Sequence, residues 1–329
     1  MSGPLITNIS KAANPGAGDV YVNELLPNVA IQYFQTQGGL HTTFPMVPVQ
    51  LQTSVFAAFN RGDTMRVKTE LKAPGSGVAQ IGFNTDLTGT YTCTVYEAEY
   101  APPSEVVANY NLPMNLDFTA TKLLARAAYL RRELTWIEGN FTTGLWGTDV
   151  TPAVTWDDPS SNPIGDIETG IETILLATGY RPNVLAVGYQ VWKALKQHPD
   201  ILQRIGTGSA SNVDPRMVTP QLVAALFGLE EIKIGEVVYN SAASGASISM
   251  AFAAGKNALL CYRTSSPSVI EPSAGYMFAW QGLTGSTGGL QMRKGYDQRQ
   301  DQQWYQIRHA ENFKRTATEM GYFFSACVA

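Results

Sequence analysis

The sequence predicts an α+β fold with a mixed sheet at its centre and extended pieces around it. Three observations carry this. Between residues 166 and 264, runs of helical and strand period alternate only in part, which suits a mixed sheet rather than a doubly wound one. Residues 117–139 repeat apolar side chains at spacings of three and four, over more turns than the usual helix of about 11–12 residues. Residues 60–100 hold two β-rich runs around a Gly- and Pro-rich tip, the pattern of a long hairpin.

Composition bounds the function. The chain has 329 residues, enough for about two domains, and 44% of them are hydrophobic, so a sizeable core can form. Charged residues are 15%, against roughly 25% in an average globular chain. A surface so poor in Lys and Glu suits a protein largely covered by partners. The net charge of -4 argues against a dedicated nucleic-acid binder. Cys93, Cys261 and Cys327 lie far apart and are odd in number, so neither a disulfide framework nor a zinc site is expected, and a reducing compartment is the simplest reading. The first ten residues lack the basic and apolar regions of a signal peptide. No run approaches the ~20 apolar residues of a membrane helix.

In chain order, residues 1–58 are rich in Gly, Pro, Asn, Gln and Thr, with short apolar clusters such as Val29-Ala30-Ile31 and Val55-Phe56-Ala57-Ala58-Phe59. They read either as an ordinary lead-in with one helix or as an extended arm docked on another surface; the arm is carried forward. Arg61-Gly62-Asp63 signals a turn, and Thr64–Thr69 alternates. Lys72–Gly77 is the loop tip, and Thr90–Tyr100 returns with Tyr91, Cys93 and Val95 on one face before Pro102-Pro103 ends it. A two-stranded ribbon is marginal alone in water, so this one needs a surface on its own body or on a neighbour.

The long helix of residues 117–139 starts at Asp117 or Thr119, whose oxygens can cap first-turn amides. Its expected buried stripe is Leu123, Ala127, Leu130, Leu134 and Ile137, with Arg126, Arg131, Arg132, Glu133 and Glu138 mostly elsewhere and Gly139 as the stop. Residues 140–165 read as loop. Within it, Asp157-Asp158 beside Pro and Ser are turn formers rather than a cation site.

Residues 166–264 form the compact unit. Asp166 is expected to cap a helix that buries Ile167, Ile171, Ile174 and Leu175 and ends at Gly179. A strand follows at Asn183–Val187, then a helix at Gly188–Gln197 with Val191, Trp192 and Leu195 inward. Pro199 precedes a further helical turn with Ile201, Leu202 and Ile205, and Gly206–Pro215 is a turn-rich loop. Thr219-Pro220 starts the next helix, hydroxyl cap then Pro, with Leu222, Val223 and Leu226 inward. Strands are expected at Ile232–Ile234, Val237–Tyr239 and Ala258–Tyr262. Residues 265–329 read as β-rich and wet, with a Gly282–Gly289 loop and an apolar chain end tied into a sheet.

Catalytic patterns are missing. His41, His198 and His309 are isolated in sequence, and neither HExxH nor CxxC occurs. His198 reads as a helix-end histidine beside C-terminal carbonyls. Gly245-Ala246-Ser247-Ile248-Ser249 fails the last position of GxSxG. Gly206–Ser211 falls short of GxGxxG and does not join a strand to a helix. Cys93 lies in an expected strand without a placed histidine. No catalytic, cofactor-binding or metal-ligating residue is assigned, no cofactor is expected, and the chain reads as a non-enzyme.

Several stretches resemble the major capsid proteins of tailed bacteriophages. Arg181-Pro182-Asn183-Val184-Leu185, followed by Trp192, Leu195 and His198-Pro199-Asp200, is similar to a stretch of the family's axial domain. Leu226-Phe227-Gly228-Leu229, Ile232-Lys233-Ile234-Gly235 and Val238-Tyr239-Asn240 resemble the segment after it. Gly255–Tyr262 and Gly321-Tyr322-Phe323-Phe324 match the same habit. The order of these loose patterns and the layout of the whole chain carry the resemblance.

That resemblance implies the tailed-phage major capsid fold, shared with encapsulin shells and the herpesvirus capsid floor. The expected parts are an N-terminal arm at 1–58, an extended β-hairpin loop at 59–101, a peripheral domain with a long spine helix at 102–165, an axial domain at 166–264 and a β segment at 265–329 returning to the peripheral domain. It implies self-assembly into pentamers and hexamers of an icosahedral shell around double-stranded DNA, in the virion, after assembly in the host cytoplasm. It further implies a separate scaffolding protein or a removed N-terminal piece, a portal, a possible decoration protein, non-specific contact with packaged DNA, and no membrane. The basic runs Arg131-Arg132 and Arg293-Lys294 are short. Gly206–Pro215 is a candidate contact near the symmetry axis. Lys68 and Lys72 are candidate crosslink donors, although loop lysines are usually just solvated. The alternatives are an encapsulin-type compartment shell, a minor phage structural protein and an uncharacterised soluble enzyme.

Overall fold

The structure, a computed structural model, describes residues 39–59, 85–109, 116–206, 218–267, 272–284 and 289–329. A 3-10 turn at Leu40–Thr43 leads into β1 (Met46–Val49) and β2 (Thr53–Phe59). Then come β3 (Thr85–Thr92), β4 (Thr94–Tyr100), α1 (Ser104–Asn109) and the long α2 (Leu116–Asn140). Next are β5 (Thr148–Val150), α3 (Pro163–Thr178), β6 (Val184–Gly188), α4 (Tyr189–Leu195), α5 (Pro199–Gly206) and α6 (Pro220–Phe227). The chain continues through β7 (Glu231–Gly235), β8 (Val238–Asn240), β9 (Met250–Phe252), β10 (Ala258–Cys261), β11 (Gly275–Trp280) and α7 (Gln281–Thr284). It closes with β12 (Leu290–Asp297), β13 (Gln302–Arg315), a 3-10 turn at Thr318–Met320 and β14 (Gly321–Phe324).

The central sheet has the order β5-β14-β10-β6-β7 and is mixed. β10 runs antiparallel to β14 and β6, whereas β6–β7 and β5–β14 are parallel. Its strands are apolar runs because both faces are covered. Leu185, Val187, Leu260, Tyr322 and Phe324 point into a core shared with α3–α6. Val184, Ala186, Leu259 and Phe323 point the other way, against Leu40, Trp136 and Phe141. Those last residues come from the first 3-10 turn and the C-terminal end of α2.

The outer sheet is organised on β13, the longest strand at 14 residues. One edge takes β12 and then β11, the other takes β4, and β1 adds in parallel outside β11. The N-terminal half of α2 covers this sheet with Ala120, Leu124, Ala125, Ala128 and Tyr129 against Leu290, Met292, Tyr305 and Ile307. At 25 residues and 1.5 Å per residue, α2 is about 37 Å long. One helix therefore spans both sheets and joins their two cores.

Local sequence explains most boundaries. α3 begins at Asn162, whose side chain accepts from Gly165 N, with Pro163 at the first position; Gly179 ends it in the left-handed region at φ 72°. α6 has Thr219 as cap, Pro220 behind it, and Gly228 at φ 64°. In both, the proline has no N–H to leave unpaired and the glycine has no Cβ to clash.

Several expectations are corrected. Asp166 does not cap α3; it lies inside the first turn and accepts from Trp156 Nε1 at 2.8 Å. Leu175 and Leu222 are exposed, because the cores take Thr178 from α3 and Val223, Ala224 and Phe227 from α6. Gly139 does not stop α2, which runs on to Asn140. The buried stripe of α2 is Thr121, Leu124, Ala125, Ala128, Tyr129, Arg132, Glu133, Trp136 and Ile137. Of the expected stripe only Ile137 is buried, and Leu123 is exposed. The alanines allow the outer sheet to come close, and the buried charges have partners.

The hairpin is also placed differently. Val55–Phe59, expected in the arm, is part of β2, which pairs antiparallel with β3. The expected strand Thr90–Tyr100 is cut at Cys93 into β3 and β4, which enter different sheets. The turn at Arg61–Asp63, the strand Thr64–Thr69, Lys68, Lys72 and the tip Lys72–Gly77 lie outside the described residues, as do residues 1–38 and 207–215. The stretch 265–329 divides between sheets: β11–β13 build the outer one, and β14 sits inside the central one.

Candidate assembly surface

Two buried polar clusters on α2 fix what surrounds it. Glu133 is fully buried and accepts from Leu40 N at 2.7 Å and His41 N at 3.0 Å, with His41 Nδ1 at 2.6 Å. One carboxylate thus holds the start of the described chain on the helix. One residue earlier, Arg132 is paired with Glu311 of β13, and His309 Nδ1 lies 3.3 Å from Glu311. Burial alone would raise the Glu311 carboxyl, but Arg132 and His309 outweigh it and hold the group down at about 2. Tyr96 of β4 stacks on His309, and Arg131 lies over the outer face of Tyr96. At the helix start, Asp117 accepts from Tyr305 Oη at 2.5 Å and Lys294 Nζ at 3.1 Å.

These contacts revise three expectations. His41 and His309, isolated in sequence, each have an acidic partner in space. His198 follows the end of α4, where its N donates to Leu195 O at 3.2 Å, but its ring turns elsewhere: Nδ1 accepts from Asp200 N at 3.3 Å, in the first turn of α5, and Nε2 lies 3.1 Å from Ser161 Oγ. The basic runs are largely used internally: Arg132 by Glu311, Arg131 by Tyr96 and Lys294 by Asp117. Sequence reasoning missed Glu133 and Arg132 because a charged residue is ordinarily assigned to the wet face. Their partners are about 90 and 180 positions away in the chain.

Cys93, Cys261 and Cys327 are free and buried. Burial, with Glu311 nearby, pushes the Cys93 thiol up to about 11. Burial pushes Cys261 up to about 12 despite Arg263 and Lys233, and also raises Cys327. All three stay protonated and unreactive at neutral pH. Asp158 accepts from Ser160 N and Oγ at 2.8 Å, and Asp157 accepts from Ala329 N at 3.1 Å, so both acids serve turns and the chain end. Among the described residues no group of three His, Cys, Asp or Glu could hold a metal, and no helix is long and apolar enough to cross a membrane.

What the surface does offer is apolar area. Leu51 and Val55 are exposed beside the β2–β3 ribbon. Leu176 projects from the end of α3 with 86% of its surface open. Val238, Ile248, Met250 and Phe252 are exposed on the β8–β9 ribbon. Such side chains on ribbons and helix ends suit contacts between molecules rather than a pocket for a small ligand.

No family model matches the chain. It is 25% identical over 224 residues to a major capsid protein of Burkholderia phage BcepMu, covering 66% of this chain and 70% of the relative. It is 26% identical over 325 residues to a major capsid protein of Pseudomonas phage JBD67, covering 92% and 96%. A phage-related protein from Bordetella bronchiseptica superposes with a TM-score of 0.69 at 21% identity, covering 94% of this chain and 98% of that one. The capsid of cyanophage P-SCSP1u gives 0.55 at 10% identity, covering 86% of each chain. An encapsulin from Synechococcus elongatus gives 0.51 at 12% identity, covering 88% of each. By sequence the chain is related to the major capsid proteins of phages, and its fold is the tailed-phage capsid fold that encapsulin shells share.

Proposed function

We propose that this chain is a major capsid protein, and that its copies, grouped as pentamers and hexamers, build an icosahedral shell around the double-stranded DNA of a tailed phage. The observation that carries this reading is the near-full-length match to a phage major capsid protein. Architecture supports it. One long helix ties two sheets together through both of their cores, which suits a subunit that repeats the same contacts at every position. Surface chemistry supports it too: few charges, exposed apolar ribbons, and buried, unreactive thiols suit work done by contact rather than by catalysis. At ~25 cal/mol per Å², a copy–copy interface of ~1,600 Å² supplies a gross term of tens of kcal/mol, of which only the surplus over ordering costs remains.

In this reading residues 166–264 are the axial domain, and α2 with the outer sheet forms the peripheral domain. The β2–β3 ribbon and the residues 60–84 that join its strands reach a neighbour, and Gly206–Pro215 lies near a symmetry axis. A separate scaffolding protein, a portal and a decoration protein are the expected partners. Contact with packaged DNA is non-specific and weak, in keeping with a net charge of -4. The protein's place is the virion, after assembly in the host cytoplasm. The fold alone does not separate a genome shell from a cargo compartment; the two phage relatives favour the genome.

Expression of the full chain, followed by electron microscopy and sedimentation, tests this. Closed shells in which this chain dominates by mass, with nuclease-protected DNA in virions, are expected. A compact monomer at all concentrations overturns the reading, and protein cargo without a genome replaces it with a compartment shell.

A further inference from the structure

The β8–β9 ribbon is the least explained part of the described surface. Val238 pairs with Phe252 and Asn240 with Met250 across its two strands. Side chains alternate along a strand, so Val238, Asn240, Met250 and Phe252 share one face. That face is apolar and open: Val238 is 40% exposed, Phe252 37%, Met250 63%, and Ile248 just before β9 is 79%. Phe252 has one side against Tyr189, which anchors the base of the ribbon to α4. The loop closes on itself through Asn240 Oδ1, which accepts from Ala242 N and Ser249 N at 3.1 and 2.9 Å. The apolar side chains are therefore held outward on an ordered element.

The same run is unusual in composition. From Val237 to Gly255, between Glu236 and Lys256, it holds no Asp, Glu, Lys, Arg or Pro. Free proteins guard exposed ribbon edges with just those residues, because a bare edge invites pairing with another chain. A partner found through charge, such as a nucleic acid or a strongly basic protein, has nothing to grip here. An identical copy is different. Each copy carries a net charge of -4, so copies repel overall and approach best where charge is absent.

We infer that the apolar face of the β8–β9 ribbon is a contact covered by a second copy of this chain. This rests on the shell reading above. The contact excludes water from Ile248, Met250, Val238 and the open side of Phe252, and it gives the shell a joint that ionic screening does not weaken.

The test uses the full chain carrying Met250→Cys. The three native cysteines are buried, so N-ethylmaleimide reads the introduced thiol. That thiol reacts freely in dissociated subunits and slows by about tenfold or more in particles formed by this chain. A second variant, Ile248→Lys with Met250→Lys, changes exposed positions only. It is expected to keep the subunit's Tm within about 2 °C and to lower the particle fraction in sedimentation by about tenfold or more. Equal reaction rates in particles and subunits overturn the contact, as do wild-type particle yields from the lysine variant. A thiol already protected in dissociated subunits also overturns it, and points to this chain's own residues as the cover. Wild-type protein that forms no particles overturns the shell reading itself, whereas wild-type particles with a reactive thiol overturn this contact alone.

Discussion

At the scale of residues, Arg132, Glu311 and His309 join α2 to the outer sheet through a buried charge cluster. Removing one member of a buried pair strands the other, which costs about 3–5 kcal/mol. Arg132→Met is therefore expected to lower the urea stability of the subunit by that amount. Acid sensitivity follows from the same cluster. The folded Glu311 carboxyl sits at about 2, below its ordinary value of 4.5. A depressed carboxyl contributes stability above its unfolded pKa and loses it as pH falls through the folded one. The wild-type Tm should thus drop between pH 4.5 and 2, and Glu311→Gln, less stable at pH 7, should drop less steeply across that window. Thermal melts at matched ionic strength decide both points. None of this was legible in the sequence: the partners are remote, and a charged residue on a helix is read as solvated until its partner is seen.

At the scale of elements, legibility followed how local the signal is. α6 is written in adjacent residues, Thr219, Pro220 and Gly228, and α4 in the period of Val191, Trp192 and Leu195. The cap of α3 is ambiguous in sequence because Asp166 offers as good an acceptor oxygen to a helix start as Asn162; the decisive clue is Pro163, which belongs at the first helical position. Asn162→Ala should cost only about 0.5–2 kcal/mol, the loss of one cap. Trp136→Ala should cost about 3–5 kcal/mol, because the ring is fully buried where α2 meets the central sheet. Calorimetry of the two variants checks the order. A smaller loss for Trp136→Ala than for Asn162→Ala would mean that α2 is not the bridge between the sheets.

At the scale of the whole molecule, the sheets and α2 form the body, and residues 60–84 connect the open ends of β2 and β3. Replacing residues 60–84 with a two-residue Asn-Gly turn keeps the β2–β3 pairing and matches a favoured hairpin turn. On the shell reading, the shortened protein keeps its melting transition and fails to form particles. Particles of normal size from it would refute the linking role given to residues 60–84. The ribbon is made by β2 and β3, whereas β4 belongs to the outer sheet.

The sequence by itself determined the α+β class, the mixed central sheet, the long helix, most element positions and the absence of any known catalytic motif. These rest on period, capping and turn chemistry, which act within a few residues. The resemblance to phage capsid proteins was carried by ordered short patterns along the same stretches. Only the tertiary structure decided which stripe of α2 is buried, that Glu133 and Arg132 lie inside, that β14 enters the central sheet, and that the β8–β9 ribbon faces outward uncovered. Those facts depend on partners tens to hundreds of residues away. Burial is a property of the assembled neighbours and of the charges they bring, not of the residue that is buried.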